Sequence, residues 1–271
     1  MIPAHYFPFA VPRYELKIGA APLSSPDLVF ERDDLCGQEL ALKRACMEYD
    51  AHYYCQTLPG SEEAQREVLA MVGGGEEADC AIRAAGDRVQ EDLLILDCGQ
   101  AGLPLIAGHL CFANAWCLDD KMGRSFMEIH GPVPEFPTTI GPTSEKLLER
   151  LKVGRPVGRL NWAVKSTGQM DLTSRWDETV AGWSREVDCA NAGERCFMRA
   201  ERQTLTRLEK SNCVLFTVRT YTQTVASLTV TQQKLLLGVL RTCPEAMLRY
   251  KGIWPFAPAL VEWLGEYTNE L

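Results

Sequence analysis

Across residues 194–221 the chain alternates with a period of two. Arg199, Glu201 and Gln203 alternate with Met198, Ala200, Arg202 and Thr204. After the polar, turn-prone run Glu209-Lys210-Ser211-Asn212, the residues Val214, Phe216 and Val218 alternate with Leu215, Thr217, Arg219 and Tyr221. The pattern predicts two long strands joined as a hairpin. A strand this rich in Arg, Glu and Gln has two readings. One face is solvated, as is common in antiparallel sheets. Alternatively, it holds something polar: a cofactor, a substrate or a buried ion network.

The rest of the chain reads as helices with a few further strands. Residues 1–30 are proline-rich and predict an extended N-terminal arm, since proline fits poorly inside helices and central strands. Residues 35–56 are helical, with Leu42, Ala45, Tyr49 and Tyr53 on an apolar stripe. Pro59-Gly60 breaks that helix, and Ser61 reads as the N-cap of the next, with Glu62 and Glu63 in its first turn. Gly73-Gly74-Gly75 ends it; no strand precedes these glycines and no Lys-Ser follows, so they do not form a phosphate loop. Further helices are expected over 77–90, 121–129, 142–151, 231–241, 244–250 and 257–269. Strands are expected over 90–96, 105–118 and 155–164, the last with Arg159, Asn161 and Ala163 on one face. Residues 165–193 are polar and turn-rich, an irregular excursion or lid. With no composition break, the whole of 1–271 reads as one α+β domain.

Composition narrows the function classes. At 46% hydrophobic residues, the chain can bury a sizeable core. A formal charge of −8 without a basic tail argues against nucleic acid or an anionic membrane as partner. No apolar stretch is long enough to span a bilayer, and the N-terminus lacks the features of a signal peptide, so a soluble cytoplasmic protein is expected. The eleven cysteines form no CxxC pair and no Cys/His cluster at zinc spacing, and they read as small buried hydrophobes.

Two places carry candidate chemistry. Glu91 and Asp92 are adjacent carboxylates at a helix-to-strand junction, where a cap or salt bridge is the ordinary use. His130 sits at a predicted helix end, before Gly131-Pro132. It reads either as a C-terminal cap favoured by the helix dipole or as a metal or haem ligand.

Six blocks in order resemble the haem-dependent oxidative N-demethylases. They are Gln90-Glu91-Asp92-Leu93, CFANAWCLDDKMGRSFMEIHGPVP at 111–134, RLNW at 159–162, GERCFMRAERQTLTRL at 193–208, VLFTVRTY at 214–221, and Tyr250-Lys251-Gly252. The resemblance implies a PAS-like antiparallel sheet with flanking helices and haem b held against the sheet. It implies O2-dependent oxidation of an amine N-methyl carbon, with release of aldehyde. Electrons would come from NADPH through a separate flavin and iron–sulfur reductase; this chain has neither a GxGxxG turn nor a cysteine cluster for such cofactors. His130 becomes the expected axial ligand. Lys121, Arg124, Arg159, Arg202 and Arg219 become candidates for the propionates. Glu201, and after it Glu91, becomes the candidate for a cationic small-amine substrate. The chain departs from the family pattern at Gly19-Ala20-Ala21-Pro22-Leu23, where Gly-Leu-x-Pro-Leu is expected, at Ala163, usually a small polar residue, and at Glu209-Lys210, where Pro-Arg is common. These departures bear on the substrate more than on the haem. Two other readings remain at this stage: a haem enzyme tailoring a larger substrate, and a PAS-like haem gas sensor.

Overall fold

The predicted hairpin forms, and it is the middle of a seven-stranded antiparallel sheet. The computed structural model describes residues 1–75 and 78–269. In chain order its elements are β1 (Ala21–Pro22), α1 (Cys36–Tyr54), β2 (Cys55–Thr57), α2 (Glu62–Met71), α3 (Ala81–Gly86), β3 (Asp92–Leu96), β4 (Leu105–His109), α4 (Phe126–His130) and α5 (Gly141–Arg150). Then follow β5 (Val157–Lys165), α6 (Asp177–Arg185), α7 (Ala192–Arg195), β6 (Phe197–Arg207), β7 (Val214–Thr224), α8 (Val230–Thr242), α9 (Glu245–Tyr250) and α10 (Ala257–Asn269). The strand order is β1-β5-β6-β7-β3-β4-β2. Asn212, at φ 58°, supplies the left-handed residue of the hairpin turn.

The register sorts the side chains onto two faces. Glu201 lies opposite Asn161 and Thr220, Gln203 opposite Arg159 and Val218, and Leu205 opposite Phe216. Val218 and Phe216 in turn lie opposite Asp92 and Leu94. These residues share the first face. Arg202 opposite Arg219, and Thr204 opposite Thr217, share the second with Leu93 and Ile95.

Both faces are covered. On the second, Met198, Ala200 and Val164 pack under α8 to α10, while Leu93, Ile95 and Leu215 pack under α2 and α3. On the same face, Glu39 of α1 reaches Arg219. On the first face, Leu94, Leu96, Leu205 and Val214 meet Phe126, Phe136 and Leu148 from the α4–α5 region. The polar faces of the hairpin are therefore internal, and the solvated reading does not hold.

Several expected elements differ. The buried side of α1 is Cys36, Glu39, Lys43 and Met47, whereas Leu42 and Tyr49 are exposed. The cause is polar pairing: Glu39 forms an ion pair with Arg219, and Lys43 Nζ donates to the carbonyls of Val89 and Glu91. The strand expected over 105–118 stops at His109. The Asp92 carboxylate accepts from the N–H groups of Cys111 and Phe112 at 2.8 Å each and turns the chain out of the sheet. The helix expected over 77–90 is only α3, and Glu77 lies outside the described residues. The helix expected over 121–129 starts later, at the capping box of Ser125 and Glu128. Ser61 makes no cap bond; its hydroxyl donates to Leu58 O instead. The excursion at 165–193 contains α6 and begins α7.

Candidate functional site

A cavity of about 640 Å³ opens on the first face of the sheet. That size suits a cofactor or small-molecule pocket. Its floor is Glu201, Gln203, Leu205, Phe216, Val218, Leu94 and Leu96. One wall is Phe126, Ile129, His130 and Phe136. Another is the arm at residues 8–18, and Tyr250 and Lys251 close one end.

His130 is held from three sides. The Ser125–Glu128 capping box fixes the start of α4, and one turn later the His130 Nδ1 lies 2.8 Å from Phe126 O. A carbonyl only accepts, so Nδ1 carries the proton. The ring stacks on Phe136, with centroids 4.6 Å apart and planes 17° from parallel, and Phe126 lies against it at 4.5 Å. Nε2 is left as a lone pair without a hydrogen-bond partner among the described residues, on a side chain that lines the cavity. Burial first, then the cations Arg159 and Lys121, push the His130 pKa down to about 4 and keep the imidazole neutral. A neutral, clamped imidazole whose other nitrogen donates to a backbone carbonyl is the arrangement of metal-ligating histidines.

Residues 73–261 match the family model described as haem-dependent oxidative N-demethylase, alpha subunit-like. The chain belongs to this family. The match runs from before β3 into α10, and so takes in the sheet face, His130 and the far end of the cavity. The arm wall at residues 8–18 and α1 precede it.

Around Glu201 the first face is a charge cluster. Glu201 Oε2 accepts from Asn161 Nδ2 at 3.1 Å and Gln203 Nε2 at 3.0 Å, while Oε1 lies 3.6 Å from Arg199 Nε. Arg199 is buried and donates to the carbonyls of Phe112 and Met170 and to the Thr220 hydroxyl. Arg159 lines the cavity with its Nε buried and unpartnered among the described residues. Lys121 and Arg124 also line it, and Lys121 Nζ donates to Ile129 O at 2.9 Å.

Three of the residues expected at the site lie elsewhere. Arg202 and Arg219 are on the second face, Arg202 against Glu31 at 3.2 Å and Arg219 between Asp33 and Glu39. Like charges facing each other on neighbouring strands are unfavourable, and these carboxylates relieve that pair. Glu91 is buried on the same side, accepting from the Glu31 N–H. None of the three lines the cavity.

Two lysines that line the cavity, Lys165 and Lys251, are not among the candidates named from sequence. The signal was present for both. Lys165 continues the parity of Arg159, Asn161 and Ala163 in a strand read as ending at 164, and Lys251 lies in the Tyr250-Lys251-Gly252 block. The structure also gathers Asp92, His109 and Cys111, whose ligand atoms lie within 4.8 Å of one another. This trio has no sequence spacing to reveal it, because it joins two strands. Asp92 already serves two backbone N–H groups, and the buried Lys43 ammonium stands nearby, so the cluster reads as a hydrogen-bonded corner of the sheet.

Proposed function

We propose that the cavity takes haem b, that His130 Nε2 would ligate its iron, on a PAS-like sheet, and that the protein oxidatively demethylates an amine. The observation that carries this reading is His130 itself: clamped, neutral, its tautomer set by Phe126 O, its ring on the wall of the cavity. The cavity fits such a group. Phe126, Phe136, Leu94, Leu205 and Phe216 offer flat and aliphatic surface for a macrocycle, and Arg159, with an unsatisfied buried Nε, offers charge to a propionate. Lys121 and Arg124 are the other cations suited to that role.

When bound, haem supplies the O2 chemistry that oxidises an N-methyl carbon; amine and aldehyde are the products. The remaining work falls to this chain. Asn161 and Gln203 both donate to Oε2 of Glu201, which fixes the carboxylate and leaves Oε1 to face a cation. Oε1 sits too far from Arg199 Nε for a hydrogen bond, so it has capacity for a substrate ammonium. The arm and the α4–α5 region wall the cavity and Glu201 is buried, which strengthens that interaction. Electrons come from a separate partner, in keeping with an alpha-subunit-like family.

An absorption spectrum tests the reading. Purified protein should show a Soret band that shifts with dithionite and CO, and His130→Ala should lose haem or shift the band. An unchanged spectrum and haem stoichiometry in that variant would remove His130 as the ligand.

A further inference from the structure

The haem reading leaves the polar end of the cavity unexplained. Lys165 is buried and Lys251 half-buried, and both line the cavity. Lys165 Nζ donates to Lys251 O at 3.0 Å; Lys251 Nζ donates to Trp162 O at 2.7 Å and lies 4.5 Å from the centre of the Trp162 ring. Gly252 turns the chain beside Lys251 at φ +70°, with Lys165 Nζ at contact distance, 3.4 Å, from where a Cβ would stand. An ammonium has three donors, and each of these is seen to bond one carbonyl among the described residues.

The charges at this end do not balance. Arg159, Lys165 and Lys251 line the cavity with the carboxylates of Glu201 and Asp92, and Arg199, behind the lining, draws on those two and on Asp171. Glu201 has only Oε1 left to offer, 3.6 Å from Arg199 Nε, since Oε2 accepts from Asn161 and Gln203, and Asp92 serves two backbone N–H groups. Asp177 attracts Lys165 but does not line the cavity. Burial, with the mutual repulsion of the cations, pushes both lysines down to about 8. Placing ammonium groups in such a site is costly unless an anion joins them.

We propose that Lys165 and Lys251 form a carboxylate-binding subsite at this end of the cavity. The subsite lies within electrostatic reach of Glu201. A zwitterion such as an N-methylated amino acid matches both charges, its nitrogen at Glu201 and its carboxylate at the lysines. A bare alkylamine matches only one. The carboxylate has two possible sources, the substrate or a haem propionate, and only the second rests on the haem reading.

Calorimetric titration distinguishes them. The haem-free protein is titrated with N-methylglycine and with dimethylamine, then with haem and with haem dimethyl ester. In at least one pair the free carboxylate should bind tighter by about tenfold or more, the scale of a charged hydrogen bond. Lys165→Met and Lys251→Met should each erase that preference, and the pair that shows it names the source. No preference in either pair with the unsubstituted protein would overturn the proposal, whether or not the variants fold. So would folded variants that keep the preference. Absence of a Soret band alongside a preference for N-methylglycine would refute the haem reading and leave this subsite standing.

Discussion

Replacing Glu201 by glutamine separates two things that this carboxylate does. It accepts from Asn161 and Gln203 through Oε2, and it opposes the buried Arg199 through Oε1 at 3.6 Å. Glutamine can keep the first role with its carbonyl oxygen, but its amide then points N–H groups at a guanidinium. At 3.6 Å and an effective dielectric of about 20, the lost attraction is on the order of 4 kcal/mol. Arg199 keeps its bonds to Phe112 O, Met170 O and Thr220, so part of that is retained. A net loss of about 3 kcal/mol is expected, the low end for a broken buried pair. For a chain of this size that corresponds to a fall in Tm of roughly 6–12 °C. Thermal unfolding followed by circular dichroism measures it. A Tm within about 1 °C of the unsubstituted protein would refute the claim that Glu201 neutralises Arg199. The same variant, titrated with an amine at the Soret band, should bind about tenfold more weakly. Lost stability with unchanged amine affinity would make Glu201 a structural partner of Arg199 and nothing more.

Arg219→Met removes the partner of Asp33 and Glu39 on the second face, so it should lower stability by about 3 kcal/mol while leaving haem affinity unchanged. Weakened haem binding at unchanged stability in urea would contradict the assignment of faces. Acid titration tests the corner at Asp92 and His109. Burial holds His109 down to about 4 from 6.5, so protons bind the unfolded chain first and stability falls by about 3 kcal/mol as pH drops through that window. Burial raises Asp92 from 3.8 to about 6, so the folded state takes its proton first and stability rises by a similar amount over that overlapping window. Urea unfolding of Asp92→Asn should therefore lose about 3 kcal/mol more than the unsubstituted protein between pH 7 and 4, and equal losses would refute this.

The hairpin was legible because a strand's period of two is rigid, whatever the strand packs against. The same rule already separated Glu201 from Arg202, since neighbours on one strand cannot share a face. Arg202 as a partner of a pocket centred on Glu201 was therefore excluded by its parity. Arg219 and Glu91 needed the cross-strand register, which pairs residues far apart in sequence. The misreading of α1 has another cause. Periodicity assumes that apolar residues go inside, and here Glu39 and Lys43 go inside because their partners wait on the sheet. His130 was legible as a pinned residue. Its hydrogen bond to Phe126 O follows from the i, i+4 spacing of a helix, but the stack on Phe136 depends on the turn after it. The end of β4 was not legible, because the group that ends it, Asp92, comes from the neighbouring strand.

The second-face charges have a consequence for the first face. Glu31 collects the hydroxyls of Tyr6 and Tyr221 and faces Arg202, and the Ile2 N–H donates to Gln223. These contacts fasten the start of the arm. From there the chain passes Phe9 edge-on to Trp162 at 5.0 Å, and Tyr14 N donates to Thr242. Residues 8–18, between and just beyond these fixed points, form one wall of the cavity. Trp162 meets Phe9 on that path and also carries the ammonium of Lys251, so arm and subsite share one side chain. Arg202 thus bears on the cavity without touching it. It pairs with Glu31, which also holds the Tyr6 hydroxyl near the start of the arm, and the arm walls the cavity. The charged residues of the hairpin divide the work by parity: one set meets whatever occupies the cavity, and the other holds the segment that closes it.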